Sequence, residues 1–372
     1  MELMRALLRS VLEPDPTRPL PELERAMRDA SPATWRQTVT IADRNRWLAL
    51  AAAAVQRRGL LELVPHQYIA TLRRVQVQAE QANNARMEGY AQVVAALRRA
   101  GVEPVLLKSS ALVALIHPHL LGHGMTDIDF LIPADSADIV ARIIREMNFM
   151  QIPADEDSNS YLHPDGILLL DYHFRFRLFE GMRMEDLLQD VPSVHPALDT
   201  VRVFEPNAML AHLVFHLNSH RCTLGYGPRW MIDLGYVLRH WSDEFDIERL
   251  RRLMPNTEAL AWLLRLVAFF PKELQIPAPL PLRRHIEGVE PFTLDEIFRS
   301  ERVACWPLTH FRGWAKWIAC ATGMMHQGTH LLPHASDPIK AIGDALRERR
   351  AIAAVQRQFA ATAPNPQHAA AS

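Results

Sequence analysis

The sequence predicts an α+β protein in which a small mixed sheet with its own helices lies between an N-terminal and a C-terminal helical region. Strand and helix patterns alternate only between about residues 96 and 180, whereas apolar residues on both sides of this block recur at helical spacing. The chain has 372 residues, 49% of them hydrophobic, which is enough to bury a core for each region. We expect a helical region over 1–95, the α/β core over 96–190, a C-terminal helical domain over 191–354 and a disordered tail over 355–372.

The N-terminal region is predicted to be entirely helical. After a proline-rich start, a first helix is expected near Glu22. Ser31 and Pro32 indicate a second helix, because serine caps free backbone amides and proline is tolerated at the first helical position. We expect this helix to continue toward Arg58. A longer helical pattern ends in two arginines and Gly101, which is typical of a helix C-terminus.

The α/β block contains three strand patterns. They are the apolar runs VEPVLLK at 102–108, DIDFLIP at 127–133 and ILLLDYHFRF at 167–176, with helical text after the first and the second. The third run is expected to pair with a short strand near 160–162 through a His-Pro-Asp-Gly turn. A linker is predicted over 191–205, and helices follow it.

Charge and cysteine content exclude several classes of protein. Lys and Arg total 41 against 42 Asp and Glu, so a generally basic nucleic-acid binder is excluded and no long nucleic acid is expected as a partner. The three cysteines form no C-x-x-C pair, which favours a reducing compartment. The longest apolar run, Trp47–Val55, is far shorter than the roughly 20 residues that span a bilayer. The N-terminus also lacks the apolar stretch of a signal peptide. We therefore expect a soluble cytoplasmic protein without a membrane partner.

Acidic residues on two of the predicted strands indicate a metal site. Asp127 and Asp129 alternate with apolar residues, so both carboxylates are expected on one face of their strand. Two carboxylates in that arrangement repel each other unless a cation lies between them, and oxygen ligands suit Mg²⁺. Asp171 shares a strand face with His173 and Arg175, and it would add a third carboxylate if the strands are neighbours. Two metal ions held by such a set can activate an attacking oxygen and neutralise a leaving pyrophosphate. The plainer alternative is a solvated strand edge.

The order of these motifs resembles the polymerase-β-type nucleotidyltransferase superfamily. More closely, it resembles a large bacterial group of uncharacterised nucleotidyltransferases, whose pattern is L-K-G-x-x-L, then D-I-D-hydrophobic-L, then D-hydrophobic-H. The matching stretches of this chain are Leu107–Leu112, Asp127–Leu131, Asp171–His173, the histidines His212 and His216, and Arg229–Asp233. The resemblance covers about residues 95 to 270 and implies a polymerase-β-like nucleotidyltransferase core.

The resemblance also implies a reaction. A Mg²⁺-dependent enzyme would transfer a nucleoside monophosphate from an NTP, with ATP as the expected donor, to a hydroxyl or similar acceptor and release pyrophosphate. Asp127, Asp129 and Asp171 would be the catalytic metal ligands. The near-neutral charge favours a small molecule, peptide or protein as the acceptor over a polynucleotide. Neither the acceptor nor the oligomeric state has a signature in the sequence.

Residues for nucleotide binding follow from the same resemblance. Lys108, Ser109 and Ser110 would contact the phosphates, and Arg229 would add a further positive charge. Ser109 stands where the family has glycine, a residue that lets the backbone approach a phosphate closely. This departure motivates one alternative, a catalytically degenerate nucleotide-binding or interaction module. Arg229 and Asp233 are four residues apart and could also form a plain pair on a helix surface.

Histidines supply a second alternative. His212, His216 and His220 recur every four residues and would share a helix face, which suits a transition metal and a zinc hydrolase. The sequence has no H-E-x-x-H motif there, so we expect these residues to line a cleft or pack in the core. His326, His330 and His334 repeat the spacing. The residues expected to line the cleft are His173, Arg175, His216 and Asp233.

Overall fold

The computed structural model describes residues 1–13, 15–116, 122–152, 158–175, 177–179, 181–224 and 228–297. These residues form a seven-stranded mixed sheet between two groups of helices, which confirms the predicted fold class. The predicted tail over 355–372, the end of the predicted C-terminal domain after residue 297, and His326, His330 and His334 lie outside the described residues. No helix in the described ranges is both long and apolar enough to cross a membrane.

The N-terminal region is helical, as predicted. Its α-helices are α1 Glu2–Leu12, α2 Pro21–Asp29, α3 Pro32–Arg44, α4 Leu48–Arg57 and α5 His66–Arg99. The Ser31 hydroxyl accepts a hydrogen bond from the Thr34 amide at 3.1 Å, so the predicted cap of α3 is confirmed.

The helix that starts at Pro32 does not continue to Arg58, and this part of the prediction is wrong. Arg46 adopts a left-handed backbone with φ of 57°, which separates α3 from α4. A side chain on Gly124 would collide with the backbone of Arg46. The break between α3 and α4 therefore lies against the loop that leads into the Asp-x-Asp strand.

The sheet combines parallel and antiparallel pairs. Its strands are β1 Val105–Leu106, β2 Ile128–Leu131, β3 Met150–Ile152, β4 Ser158–Leu162, β5 Leu169–His173, β6 Leu188–Pro192 and β7 Thr200–Phe204, in the order β3-β4-β5-β2-β1-β7-β6. The predicted strands correspond to β1, β2 and β5, and the predicted hairpin is β4–β5. Helices α6 Lys108–Ile116 and α7 Ala137–Glu146 follow β1 and β2.

The linker predicted over 191–205 is wrong, because the end of β6 and all of β7 lie within it. Strands β6 and β7 form an antiparallel pair, and Val105 of β1 pairs in parallel with Arg202 of β7. Val201 and Val203 are buried, and this alternation is the signal of a half-buried strand. The sheet therefore extends past the predicted core boundary at residue 190.

The helices that follow the sheet pack against the core. They are α8 Pro206–Leu224, α9 Pro228–His240, α10 Ile247–Leu253, α11 Thr257–Glu273 and α12 Arg283–Ile286. Helix α9 contacts α6 of the core, α8 and the N-terminal α1. The Tyr236 hydroxyl of α9 donates to the Val11 carbonyl at 2.8 Å. Buried apolar residues from all three regions belong to one cluster.

Candidate active site

The two acidic strands are direct neighbours in the sheet. Strands β2 and β5 are parallel, and their register pairs Asp129 with Asp171. Ile128 and Phe130 are fully buried on the opposite face, so the apolar half of β2 fixes the direction of Asp129. Asp129 is itself 6% exposed, so this carboxylate is buried next to the half-buried Asp171.

Three side chains on these strands offer a set of metal ligands. One donor atom each from Asp129, Asp171 and His173 lies within 4.8 Å of the others. His173 Nε2 is 3.7 Å from Asp129 Oδ1 and 3.8 Å from Asp171 Oδ2. The Ser160 hydroxyl donates to Asp171 Oδ1 at 3.2 Å and restrains that carboxylate from the neighbouring strand.

Asp127 lies beside this group and is not a member of it. It precedes β2, is half-buried and accepts a hydrogen bond from the Thr126 hydroxyl at 3.0 Å. The structure instead brings His173 to the two carboxylates, although the sequence suggested only cleft lining for that residue. The D-hydrophobic-H spacing places Asp171 and His173 on one strand face and is the signal for this role. The assignment of Asp127 as a metal ligand stays a prediction.

Lys108 supplies the positive charge of the site. Its Nζ atom is 2.6 Å from Asp129 Oδ1, and the two side chains are 14% and 8% exposed. Its backbone has φ of 49°, a conformation that is uncommon for residues with a side chain. The residue lies where β1 ends and α6 begins, and the Leu107 amide donates to the Asp129 carbonyl at 2.9 Å. The end of β1 is thereby joined to β2 at both the backbone and the side chain.

The charges of this cluster are not balanced. Burial opposes the charged form of Lys108, but attraction by Asp129 and Asp171 outweighs it and raises the pKa of the lysine. Burial also opposes ionisation of Asp129, yet Lys108 and His173 lower the pKa of that carboxyl. Asp127 and Asp171 both have raised pKa values, because they are buried and lie near the charge of Asp129. Three carboxylates therefore lie near one lysine, an arrangement that suits a further cation.

The two serines after Lys108 are engaged within the protein. Ser109 donates to Asp233 Oδ2 at 3.0 Å, and His123 Nε2 lies 2.6 Å from Asp233 Oδ1. Ser110 donates to the Asp127 carbonyl at 3.4 Å, and its hydroxyl accepts from the Asp129 amide at 3.2 Å. The Ser110 contacts therefore fix the start of α6 against β2.

Asp233 is a buried partner of the first turn of α6 and of the loop before β2, whereas the sequence suggested cleft lining or a surface pair with Arg229. It is 2% exposed, and both of its oxygens have partners. His123 is fully buried and was not predicted, since it lies in an irregular Gly-His-Gly segment without periodicity. The Asn83 amide of α5 donates to the His123 carbonyl at 2.6 Å. We call Ser109, Asp233 and His123 the Asp233 brace.

The remaining predicted residues lie on α9, just after β5 and on α8. Arg229 Nη2 donates to the Ser109 hydroxyl at 3.4 Å, and the charge of Arg229 helps to stabilise the Asp127 carboxylate. Arg175 is exposed at the end of the acidic strand β5. His216 is half-buried, and its ring centre lies 6.3 Å from that of Trp230.

His212 is buried near the acidic cluster. Burial, and then the positive charge of Lys108, holds the pKa of His212 well below its ordinary value, so its ring is neutral. The metal-binding group found among the described side chains contains neither His212 nor His216. The side chains of His220 and Cys222 lie outside the described residues.

Comparisons with known proteins agree with the arrangement of the motifs. A family model described as "Uncharacterised nucleotidyltransferase" matches residues 31–270, which includes α3 to α5 as well as the sheet. No curated protein matches the chain.

Two solved structures are similar over part of the chain. The antibiotic-resistance factor ANT(2'')-Ia is 12% identical with a TM-score of 0.35, and the match covers 46% of this chain and 88% of that one. An antigenic nucleotidyltransferase-like protein from Paracoccidioides brasiliensis is also 12% identical with a TM-score of 0.35, and here the match covers 58% of this chain and 97% of that one.

Proposed function

The chain belongs to the family of uncharacterised nucleotidyltransferases, and we propose that it acts as an NMP transferase. It would transfer a nucleoside monophosphate from an NTP to a hydroxyl or similar acceptor and release pyrophosphate. The observation that carries the proposal is the register of β2 and β5, which pairs Asp129 with Asp171 beside Lys108. Acidic and basic groups concentrated in one largely buried cluster can stabilise the charge that develops during phosphoryl transfer.

The donor set fits a divalent cation. Asp129 and Asp171 provide hard oxygen ligands, His173 provides a nitrogen within the same 4.8 Å, and the carboxylates are in excess of the lysine. We propose Mg²⁺ as the cofactor, with Asp129 and Asp171 as its ligands and Asp127 as a further carboxylate beside them. Bound there, the ion would neutralise phosphate charge and polarise the reacting phosphorus centre.

The protein's own side chains would position the substrates and move the proton. Lys108 and Arg229 would contact the phosphates, and the N-terminus of α6 adds free backbone amides that favour an anion. Asp171 is the proposed general base, because its carboxylate lies beside Asp129 on the neighbouring strand. In this scheme Asp171 removes the proton of the acceptor hydroxyl, and the acceptor oxygen attacks the α-phosphorus in line.

Other parts of the proposal concern partners and location. ATP is the proposed donor, and the formal net charge of −1 supports a small-molecule, peptide or protein acceptor over a polynucleotide. The sparse cysteines support a cytoplasmic location. The Ser109 hydroxyl, at the position of the family's glycine, donates to Asp233.

The test is incubation with each α-³²P-labelled NTP and Mg²⁺, alone and with cell extract, followed by detection of pyrophosphate and a labelled product. Asp129→Asn and Asp171→Asn should abolish the product. Asp190→Asn is the matched control, because Asp190 lies on strand β6 of the same sheet and pairs with Arg202. NTP binding without any product that depends on Asp129 would refute the transfer reaction and favour the binding module.

A further inference from the structure

Lys108 contacts the carboxylate of Asp129, which belongs to the candidate set of metal ligands. Its Nζ atom is 2.6 Å from Asp129 Oδ1, the oxygen that also faces His173 Nε2 at 3.7 Å. The ammonium interacts favourably with Asp171 and Asp127 as well. In the protein without ligands, the lysine therefore neutralises the oxygens that a divalent cation would bind.

Lysine and metal cannot use this oxygen at the same time without repulsion. A Mg²⁺ ion binds carboxylate oxygens at about 2.1 Å, so an ion on Asp129 Oδ1 would lie close to the ammonium. The side chains of Lys108 and Asp129 are largely buried, so water screens the repulsion between the ammonium and the ion poorly. The lysine side chain has four flexible methylene groups, so its charged end can move while the backbone stays in place.

We propose that Lys108 is a resident counter-ion that a divalent cation displaces from Asp129, and that the phosphates of the incoming nucleotide then bind its ammonium. The proposal rests on the proposed function and adds how the same site is loaded. The phosphates of the nucleotide would bind the Lys108 ammonium, which leaves the Asp129 carboxylate available to the ion. Metal and nucleotide therefore bind with positive cooperativity through one side chain, and each strengthens the binding of the other by the same factor.

Mn²⁺ binding without nucleotide tests the first step. We would measure its affinity by calorimetry for the wild type, for Lys108→Met and for Lys272→Met. The last variant is the matched control, since Lys272 is exposed and donates to the Val289 carbonyl on an element away from Asp129. Lys108→Met should bind Mn²⁺ roughly tenfold more tightly than the wild type, and Lys272→Met should bind it as the wild type does. A non-hydrolysable NTP analogue should raise the Mn²⁺ affinity of the wild type more than that of Lys108→Met.

The outcomes separate this proposal from the proposed function. If Asp129→Asn abolishes Mn²⁺ binding but Lys108→Met binds it no more tightly than the wild type, displacement is refuted and the metal site stands. If Asp129→Asn leaves Mn²⁺ binding unchanged, both the displacement of Lys108 and the proposed metal site on Asp129 are refuted. Melting curves of each variant identify any that fails to fold.

The wild-type protein provides an independent measurement. The chain has only four lysines, Lys108, Lys272, Lys316 and Lys340, so ¹³Cε-lysine labelling should give a simple NMR spectrum. The signal that Lys108→Arg removes should shift when Mg²⁺ and the NTP analogue are added together. A Lys108 signal that stays in place under those conditions would refute the exchange.

Discussion

Replacing Asp233 with alanine should lower the free energy of unfolding by about 2–6 kcal/mol. The carboxylate is 2% exposed and contacts Ser109 at 3.0 Å and His123 at 2.6 Å. The substitution leaves two buried polar groups without this partner, and each such group costs about 1–3 kcal/mol. Because these contacts hold the first turn of α6 and the loop before β2, we also expect weaker nucleotide binding.

Urea unfolding followed by circular dichroism measures this change. Asp243→Ala is the control, because Asp243 is an exposed aspartate soon after α9 and its loss should cost less than about 0.5 kcal/mol. In a Ser109→Gly background one of the two groups is already absent, so Asp233→Ala should cost about 1–3 kcal/mol less than in the wild type. A cost below about 1 kcal/mol in the wild type, or an equal cost in both backgrounds, would refute the Asp233 brace.

Three further predictions concern the carboxylates. Asp129→Asn should destabilise the metal-free protein by about 3 kcal/mol in the same urea assay, because Lys108 loses its buried partner; an unchanged midpoint would contradict that pairing. Asp171→Asn should instead raise the melting temperature of the metal-free protein. Burial and the charge of Asp129 raise the Asp171 pKa above 3.8, so ionised Asp171 costs stability. This cost should develop as pH rises from 3.8 through the folded pKa and then stay constant, and a variant that melts no higher at neutral pH would contradict it. Mn²⁺ at 100 times its dissociation constant should stabilise the wild type by about 2.7 kcal/mol and Asp129→Asn by almost nothing, as shown by melting with and without EDTA.

The sequence predicts the parts of the fold that depend on local patterns. The apolar runs of β2 and β5 identify both strands, and their alternation places Asp129 and Asp171 on polar faces. Strand β7 was missed because its short V-x-V alternation follows proline- and serine-containing text that suggests a linker. Its place is set by parallel pairing with β1, almost one hundred residues earlier, which no local pattern encodes.

The candidate site likewise contains residues that local spacing predicts and residues that only tertiary packing brings together. Spacing along the strands predicts the acidic residues, but the addition of His173 to them depends on strand register. His123 and Asp233 are 110 positions apart, and their contact depends on how α9 packs on the core. The departure from glycine at Ser109 is visible in the sequence, whereas its hydrogen bond to Asp233 is a consequence of that tertiary packing.

The position of α9 has a consequence for evolution of the chain by recombination. Tyr236 and Asp233 lie on one helix and bind, respectively, the first helix of the chain and the first turn of α6. Asn83 of α5 binds the loop before β2 in addition. An α/β segment excised at residues 96 and 190 would lose its contacts with Asp233 and Asn83 and part of its own sheet. The sheet that carries the candidate site is therefore not a portable module, and a gene fusion that keeps the proposed activity should include the helices on both sides.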